Sequence, residues 1–365
     1  MDSSEHQFFA APGSAEILSL FCGCGGLDLG FSEAGFKTTL AYDRRPASLA
    51  SWNHNFEEGI ALNRDIEELT LDQMDADFGR EFHPTAVIGG PPCQGFSLAN
   101  RSGAADDPRN RLVERFIDLA IQLDGRSPLD FIVMENVPAI IGKRGGGIVE
   151  DQSKKLQNKG FQVWQAVLDA MHFGVPQSRR RFFLVAIRDH GETQNSWLEP
   201  EPLSNTISVK EAIGELPRPT YFDRGLNKDD IPYHPNHWCM RPKSSKFSSG
   251  ELHEGYVQRR SFKTLKWDEP SYTAAYGNRE VHVHPDCTRR LSVLEAMIIQ
   301  GFPPSIELLG TLSEQVTQVS EAVPPPLAKA VADSVRKCIL ARSKHVPYSK
   351  PDSHASYPLT GSSTR

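Results

Sequence analysis

The stretch Ile17-Leu18-Ser19-Leu20-Phe21, running straight into Cys22-Gly23-Cys24-Gly25-Gly26-Leu27-Asp28, decides how this chain reads. A short apolar run closed by a glycine cluster is a strand followed by a tight turn. Three glycines also let the backbone come close to a ligand. The same punctuation recurs along the first half. Thr38-Thr39-Leu40-Ala41-Tyr42 ends at Asp43, and Thr85-Ala86-Val87-Ile88 runs into Gly89-Gly90-Pro91-Pro92. Phe131-Ile132-Val133-Met134 ends at Glu135, and Phe182-Phe183-Leu184-Val185-Ala186-Ile187 follows Arg179-Arg180-Arg181. Helical patterns fill the gaps. Within Arg111–Leu123, the residues Leu112, Val113, Phe116, Ile117, Ala120 and Ile121 share one helix face. This alternation predicts an α/β fold with a mostly parallel sheet and helices on both sides.

The rhythm stops near Arg188. From about His190 to Pro285 the chain is rich in Pro, Asn, Ser, His and charge, which predicts a second, smaller and irregular domain. Helical spacing resumes over Arg290–Gln300 and over Pro326–Arg342, where Leu327, Val331 and Val335 follow three prolines suited to a helix start. The expected division is 1–188, then 189–304 with a hinge, then 305–342 returning to the first domain. A polar tail, 343–365, is expected to be disordered.

Composition narrows the class. The chain has 365 residues, 39% hydrophobic and 24% charged, with a net charge of −6. No apolar run approaches the ~20 residues that span a bilayer. The acidic start Met1-Asp2-Ser3-Ser4-Glu5 does not read as a secretory signal, so the expected location is the cytoplasm, on the nucleoid if the source is bacterial. Six cysteines without a C-x-x-C pair read as reduced thiols; Cys22-x-Cys24 alone keeps a metal site open, and no metal is expected. One stretch departs from the acidic average. Between positions 241 and 266, Arg241, Lys243, Lys246, Arg259, Arg260, Lys263 and Lys266 stand against only Glu251 and Glu254. This is either a solvated face or a patch for phosphates.

In an open parallel sheet, ligands bind beyond the carboxyl ends of the strands. Asp43, at such an end, suits ribose hydroxyls, or else caps a helix. Cys93, in Pro91-Pro92-Cys93-Gln94-Gly95-Phe96-Ser97, is a thiol presented by two rigid prolines, the geometry a nucleophile needs. Glu135, in Glu135-Asn136-Val137, is a carboxyl that desolvation would raise toward proton-donor chemistry; a surface ion pair is its plain alternative. Alternation puts Arg179 and Arg181 on one face, where two guanidinium groups suit a polar base edge or phosphates.

Taken in order, these blocks resemble the DNA (cytosine-5)-methyltransferase family of the bacterial restriction–modification type. The matching stretches are Leu20–Asp28, Asp43, Asp65-Ile66, Gly90–Ser97, Glu135-Asn136-Val137 and Gln177–Arg181. They continue through Arg290–Glu295, Gln300-Gly301-Phe302-Pro303 and Ala322-Val323-Pro324-Pro325, over roughly residues 17 to 335. The resemblance implies a Rossmann-like fold dependent on S-adenosylmethionine, with S-adenosylhomocysteine as product. It implies that the Cys93 thiolate adds to carbon 6 of a flipped-out cytosine in double-stranded DNA. Glu135 would serve ring nitrogen 3, Arg181 the base oxygen, and Arg179 the pocket wall. For the cofactor, Phe21 would stack on adenine, Asp43 hold the ribose, Asp65 accept from the amino group and Ile66 pack the ring. Gly23, Gly25, Gly26, Arg44, Pro92, Leu112 and Val323 would complete the pocket.

The resemblance also gives the basic stretch a purpose, as part of a target-recognition domain. Arg241, Lys243, Lys246, Arg259, Arg260 and Lys263, with Ser97 and Arg109 from a closing loop at 97–111, would touch DNA. A single recognition region suggests a monomer on DNA, and the restriction–modification type brings a restriction endonuclease acting on the same site as the expected partner. One position departs from the family pattern: Glu321 stands where Asn usually precedes Ala-Val-Pro, which predicts altered cofactor geometry or affinity. Three other readings stay open: a silent DNA-binding relative, an RNA (cytosine-5)-methyltransferase of the same fold, and a Rossmann oxidoreductase.

Overall fold

The computed structural model describes residues 16–92, 110–142, 146–189, 196–258, 261–277 and 280–343. Its larger lobe alternates strands and helices in chain order. These are β1 (Glu16–Leu20), α1 (Gly26–Glu33), β2 (Lys37–Asp43), α2 (Pro46–Asn55), β3 (Ile60–Asn63), α3 (Leu71–Phe78), β4 (Ala86–Gly89), α4 (Asn110–Arg126), β5 (Phe131–Asn136), α5 (Gly146–Gln157), β6 (Phe161–Asp169) and β7 (Arg180–Arg188). The seven strands form one sheet in the order β3-β2-β1-β4-β5-β7-β6. Strands β3, β2, β1, β4 and β5 are mutually parallel, while β7 runs antiparallel to both β5 and β6.

A period of two in the strands sorts side chains to the two faces. Leu18, Leu20, Val87, Ile132, Met134 and Leu184 pack with Val113, Phe116, Ile117 and Ala120 of α4 and with Met74, Val149 and Leu156. Ile17, Ala86, Ile88, Phe131, Val133, Phe183 and Val185 point the other way, onto Leu27 and Phe31 of α1. The expected mostly parallel sheet covered on both faces is therefore present.

Two strands and one direction were not legible. The strand β3 has four residues and sits at the sheet edge, half exposed. The other unforeseen strand, β6, is broken by Gln162 and Gln165 and also lies at an edge. Only ten residues, 170–179, separate β6 from β7. A parallel crossover needs a dozen or more, so the pair closes antiparallel. This reversal matters for the site, because it brings the amino end of β7 to the same sheet edge as the carboxyl end of β5.

The smaller lobe has little regular structure: α6 (Val209–Ile213), α7 (Val293–Ile299), α8 (Leu312–Glu321) and two short strand pairs, Thr220–Tyr221 with Trp238–Cys239 and Val257–Gln258 with Phe262–Lys263. Its core joins Val209, Ile213, Trp238, Leu265, Leu291, Met297 and Phe302 to Leu312, Val316 and Val319 of α8. Helix α7 starts at a capping box, Ser292 with Glu295, and the buried Glu295 also receives two hydrogen bonds from Arg289, at 2.7 and 2.8 Å. The last helix, α9 (Pro325–Ser343), crosses back to the larger lobe and buries Leu327, Ala328, Val331, Ala332 and Val335 against α1. Of the expected tail, 343–365, Ser343 instead ends α9, and residues 344–365 lie outside the described residues. No helix among the described residues is long and apolar enough to cross a membrane.

The α1–α9 contact depends on Gly30. A Cβ there would lie 2.5 Å from both Ala328 Cβ and the Lys329 backbone nitrogen. Alanine in a helix interior normally gains about 1 kcal/mol over glycine, but overpacking costs about 1–3 kcal/mol. Gly30→Ala is therefore expected to lower the denaturation midpoint; a raised midpoint would show that the two helices part without cost.

Candidate active site

A cavity of about 390 Å³ opens along the sheet edge where β1, β2, β4 and β5 end and β7 begins. Its wall contains Phe21, Gly23, Gly26, Asp43, Arg44, Asp65, Ile66, Pro92, Leu112, Glu135, Arg179, Arg181 and Val323. Residues scattered over three hundred positions in sequence thus converge on one space of the size that small ligands occupy.

The first turn is strained into place. Phe21 adopts φ 58°, in the left-handed region, and its side chain forms part of the cavity wall. Gly23 (φ 56°) has nothing within 4 Å of where a Cβ would stand, so its cavity side is open. Its N–H donates to Asp43 Oδ2 at 3.0 Å, and the Arg45 N–H donates to Oδ1 at 2.9 Å. The carboxylate is thereby oriented while keeping lone pairs for a ligand. Gly26 meets the Val323 carbonyl, where a Cβ would be 2.4 Å away.

Gly25 departs from expectation. It does not line the cavity, because its φ of 90° turns it toward Phe56 and Trp52, and a Cβ would lie 2.4 Å from the Phe56 ring. It packs the turn on α2. Asp28 is also removed from the cavity. It is fully buried, and burial pushes its carboxyl up to about 6. The buried thiols of Cys22 and Cys24 are likewise pushed up, Cys24 to about 12, so both stay protonated.

Asp65 accepts the Glu67 N–H at 3.0 Å, and Ile66 is buried beside it. Their loop is pinned by Arg115 of α4, which donates to the carbonyls of Ile66 and Leu69. Nothing in the spacing of α4 had marked Arg115. Arg44 stands exposed at the rim.

On the other side of the cavity Glu135 is 8% exposed, and Arg181 Nε donates to its Oε1 at 2.8 Å. Burial raises the Glu135 carboxyl above its ordinary value, while the charges of Arg181 and Arg179 pull it part of the way back. Gly90 makes room: a Cβ there would stand 3.1 Å from Glu135 Oε2. Asn136 donates from Nδ2 to the Pro91 carbonyl at 3.0 Å, fixing the proline pair that leads into position 93. Cys93 itself, with Ser97 and Arg109, lies outside the described residues.

Arg179 is not free for phosphates. It is 1% exposed and donates to the carbonyls of Ala274 at 2.7 Å, Ser320 at 2.7 Å and Ala322 at 3.3 Å. Burial pulls this guanidinium down from its ordinary value, and the three carbonyls and Glu135 offset the cost. Gln177 works beside it, donating to Gln300 Oε1 at 3.0 Å and accepting the Ala274 N–H. Gln300 in turn donates to the Ala322 carbonyl.

The basic stretch is less uniform than its composition. Lys246 pairs with Glu251, Lys266 with Glu269 at 2.7 Å, and Lys263 is half-buried over the Tyr272 ring. Arg241 and Lys243 are exposed, Arg241 lying over Tyr221. Arg259 and Arg260 lie outside the described residues.

Comparison with known proteins gives the family. Residues 15–337 match the family model of C-5 cytosine-specific DNA methylases. The chain is 32% identical over 349 residues to the type II methyltransferase M.MthTI of Methanothermobacter thermautotrophicus, covering 88% of this chain and 97% of that one. It is 32% identical over 348 residues to M1.HphI of Haemophilus parahaemolyticus, covering 89% and 87%. Among solved structures, a prophage-encoded E. coli protein assigned as a DNA modification methyltransferase superposes with a TM-score of 0.74 at 21% identity, over 90% of this chain and all of that one. The chain belongs to the C-5 cytosine-specific DNA methylase family and is a DNA (cytosine-5)-methyltransferase. The family is S-adenosylmethionine-dependent, and the oxidoreductase reading is set aside.

Two measurements test this geometry. Lysine cannot reach three carbonyls, so Arg179→Lys should destabilise the protein by about 2–4 kcal/mol, read as a lower denaturant midpoint; an unchanged midpoint would remove Arg179 from its structural role. Arg181→Gln removes a charge that lowers the Glu135 carboxyl, so that group should titrate at higher pH in the variant, followed by carbon-labelled glutamate NMR. A midpoint that stays or falls would mean that another group sets its ionisation.

Proposed function

We propose that this chain methylates carbon 5 of a cytosine within one short double-stranded DNA sequence, with Cys93 as nucleophile. The observation that carries the reading is the buried Glu135–Arg181 pair at the cavity wall, directly beside the Pro91-Pro92 turn that leads into Cys93. Such a site can hold a base by its polar edge and hand it a proton. Because the target atom is hidden in a duplex, the base must be flipped out to reach it.

The cavity also fits an adenosine cofactor. Phe21, Ile66, Pro92 and Leu112 offer apolar surface for a purine, Asp65 an acceptor for its amino group, and the oriented Asp43 an acceptor for ribose hydroxyls. When bound, S-adenosylmethionine supplies an electrophilic methyl group. The thiolate of Cys93 adds to carbon 6, forming an S–C bond, and Glu135 protonates or hydrogen-bonds ring nitrogen 3 so that charge does not build up on the ring. Carbon 5 thereby becomes nucleophilic. Arg181 holds the base oxygen while keeping Glu135 in position. Loss of the carbon 5 proton after methylation expels Cys93 and restores the aromatic ring.

The 189–304 region is the proposed target-recognition part. The exposed Arg241 and Lys243 are its better candidates for phosphate contact, since Lys246 is already paired. Arg259, Arg260 and Lys263 belong to the same proposed surface, as do Ser97 and Arg109 from the loop after Cys93. The type II names of its relatives support a role in a restriction–modification pair, with an endonuclease for the same site, and the chain is proposed to act as a monomer in the cytoplasm.

The test is expression in a host lacking cytosine methylation, followed by base-resolution mapping of 5-methylcytosine. Methylation at one short motif, lost in Cys93→Ala, is the expected result. Folded, DNA-binding protein that leaves the genome unmodified would overturn the reading in favour of an RNA substrate or a silent relative.

A further inference from the structure

Two charges on the cavity wall stand at the wrong ends of their helices. Arg45 is the N-cap of α2, where the helix dipole disfavours a cation, and Glu321 is the last residue of α8, where it disfavours an anion. Neither is placed there by helix stability. They meet across 276 positions of sequence as a bidentate pair: Arg45 Nη2 donates to Glu321 Oε1 at 3.0 Å, and Nη1 donates to Oε2. Their side chains are 38% and 51% exposed, so the pair adds little to folding and opens at little cost. Locally unfavourable choices that agree only with each other mark a functional site.

The rest of the cavity explains what this pair faces. Of the other cations on the wall, Arg64 pairs with Asp77, Arg179 with three carbonyls and Arg181 with Glu135, while Arg44 stands exposed at the rim. The Arg45 backbone N–H holds Asp43, the proposed ribose acceptor, so its side chain begins two residues from the sugar site. Glu321 is two residues from Val323, which closes over Gly26. An amino-acid arm leaving the sugar has one charge of each sign, and here one charge of each sign is waiting.

We propose that Arg45 and Glu321 are a charge clasp for the amino-acid end of the cofactor. On binding they exchange their mutual ion pair for the ligand's, Arg45 taking the α-carboxylate and Glu321 the α-ammonium. The inference rests on the cofactor reading above; it adds Arg45 as a positioning residue and gives Glu321, which the resemblance already sets at the cofactor, a partner and a specific contact. It also gives Glu321 a reason: its carboxylate complements the ligand's ammonium, and Arg45 orients it before the ligand arrives.

Calorimetric titration of the full chain with S-adenosylhomocysteine and with 5′-methylthioadenosine separates the two claims, because the second ligand keeps the nucleoside and thioether but lacks the amino acid. Arg45→Gln and Glu321→Gln should each weaken S-adenosylhomocysteine about tenfold or more and leave 5′-methylthioadenosine within about twofold. Retained binding of the smaller ligand also shows that each variant is folded around an intact pocket. Equal losses for both ligands, or unchanged or tighter binding of S-adenosylhomocysteine, would overturn the clasp while leaving the cofactor reading intact. Failure of the unsubstituted chain to bind either ligand would overturn that reading and the clasp with it.

Discussion

The rest of this site depends on one buried guanidinium. Arg179 leaves the start of β7 and ends in carbonyls from two distant segments, Ala274 in the smaller lobe and Ser320 and Ala322 at the end of α8. An arginine can do this because its planar fork presents several donors at fixed angles. A buried, unpaired charge would cost several kcal/mol, so these segments must close on Arg179 for the fold to be stable. Gln177 and Gln300 tie the same three places together with neutral hydrogen bonds. The cavity wall is complete only when this junction forms.

The junction also explains the chemistry at its edge. Because Arg179 and Arg181 alternate along one strand start, anchoring the first positions the second, and Arg181 meets Glu135. Opposing influences act on that carboxyl: burial favours the protonated form, and two guanidinium groups favour the ionised one. A group balanced in this way can give and regain a proton, which a lone surface glutamate does poorly. Asn136 and Gly90 complete the arrangement without chemistry of their own, one fixing the proline turn and the other leaving space.

The lobes differ in how they hold shape. The larger uses a sheet whose two faces are separately apolar, so strand alternation alone specifies which helix packs where. The smaller has few ladder hydrogen bonds and is organised by capping boxes, buried polar pairs such as Arg289–Glu295, and a compact apolar cluster. Irregular backbone on such a scaffold suits a surface that must present particular side chains, while the sheet edge holds the reacting groups still.

By itself the sequence determined the strands β1, β2, β4, β5 and β7, the helix α4 and the residues at the strand ends, because hydrophobic period and glycine punctuation are local signals. Asp43 and Glu135 were legible for that reason, while Phe21, Ile66 and Pro92 were marked only by the family resemblance, and all of them line one cavity. What only the tertiary structure decided was direction and partnership. No period records that β7 runs backwards, yet this brings Arg179 and Arg181 to the site. The packing of Gly25 against Phe56, the pairing of Lys246 with Glu251, the pinning of the Asp65 loop by Arg115, and the meeting of Arg45 with Glu321 were equally invisible. Each is set by proximity through space, and a charge or a glycine carries no local mark of the neighbour that folding will give it.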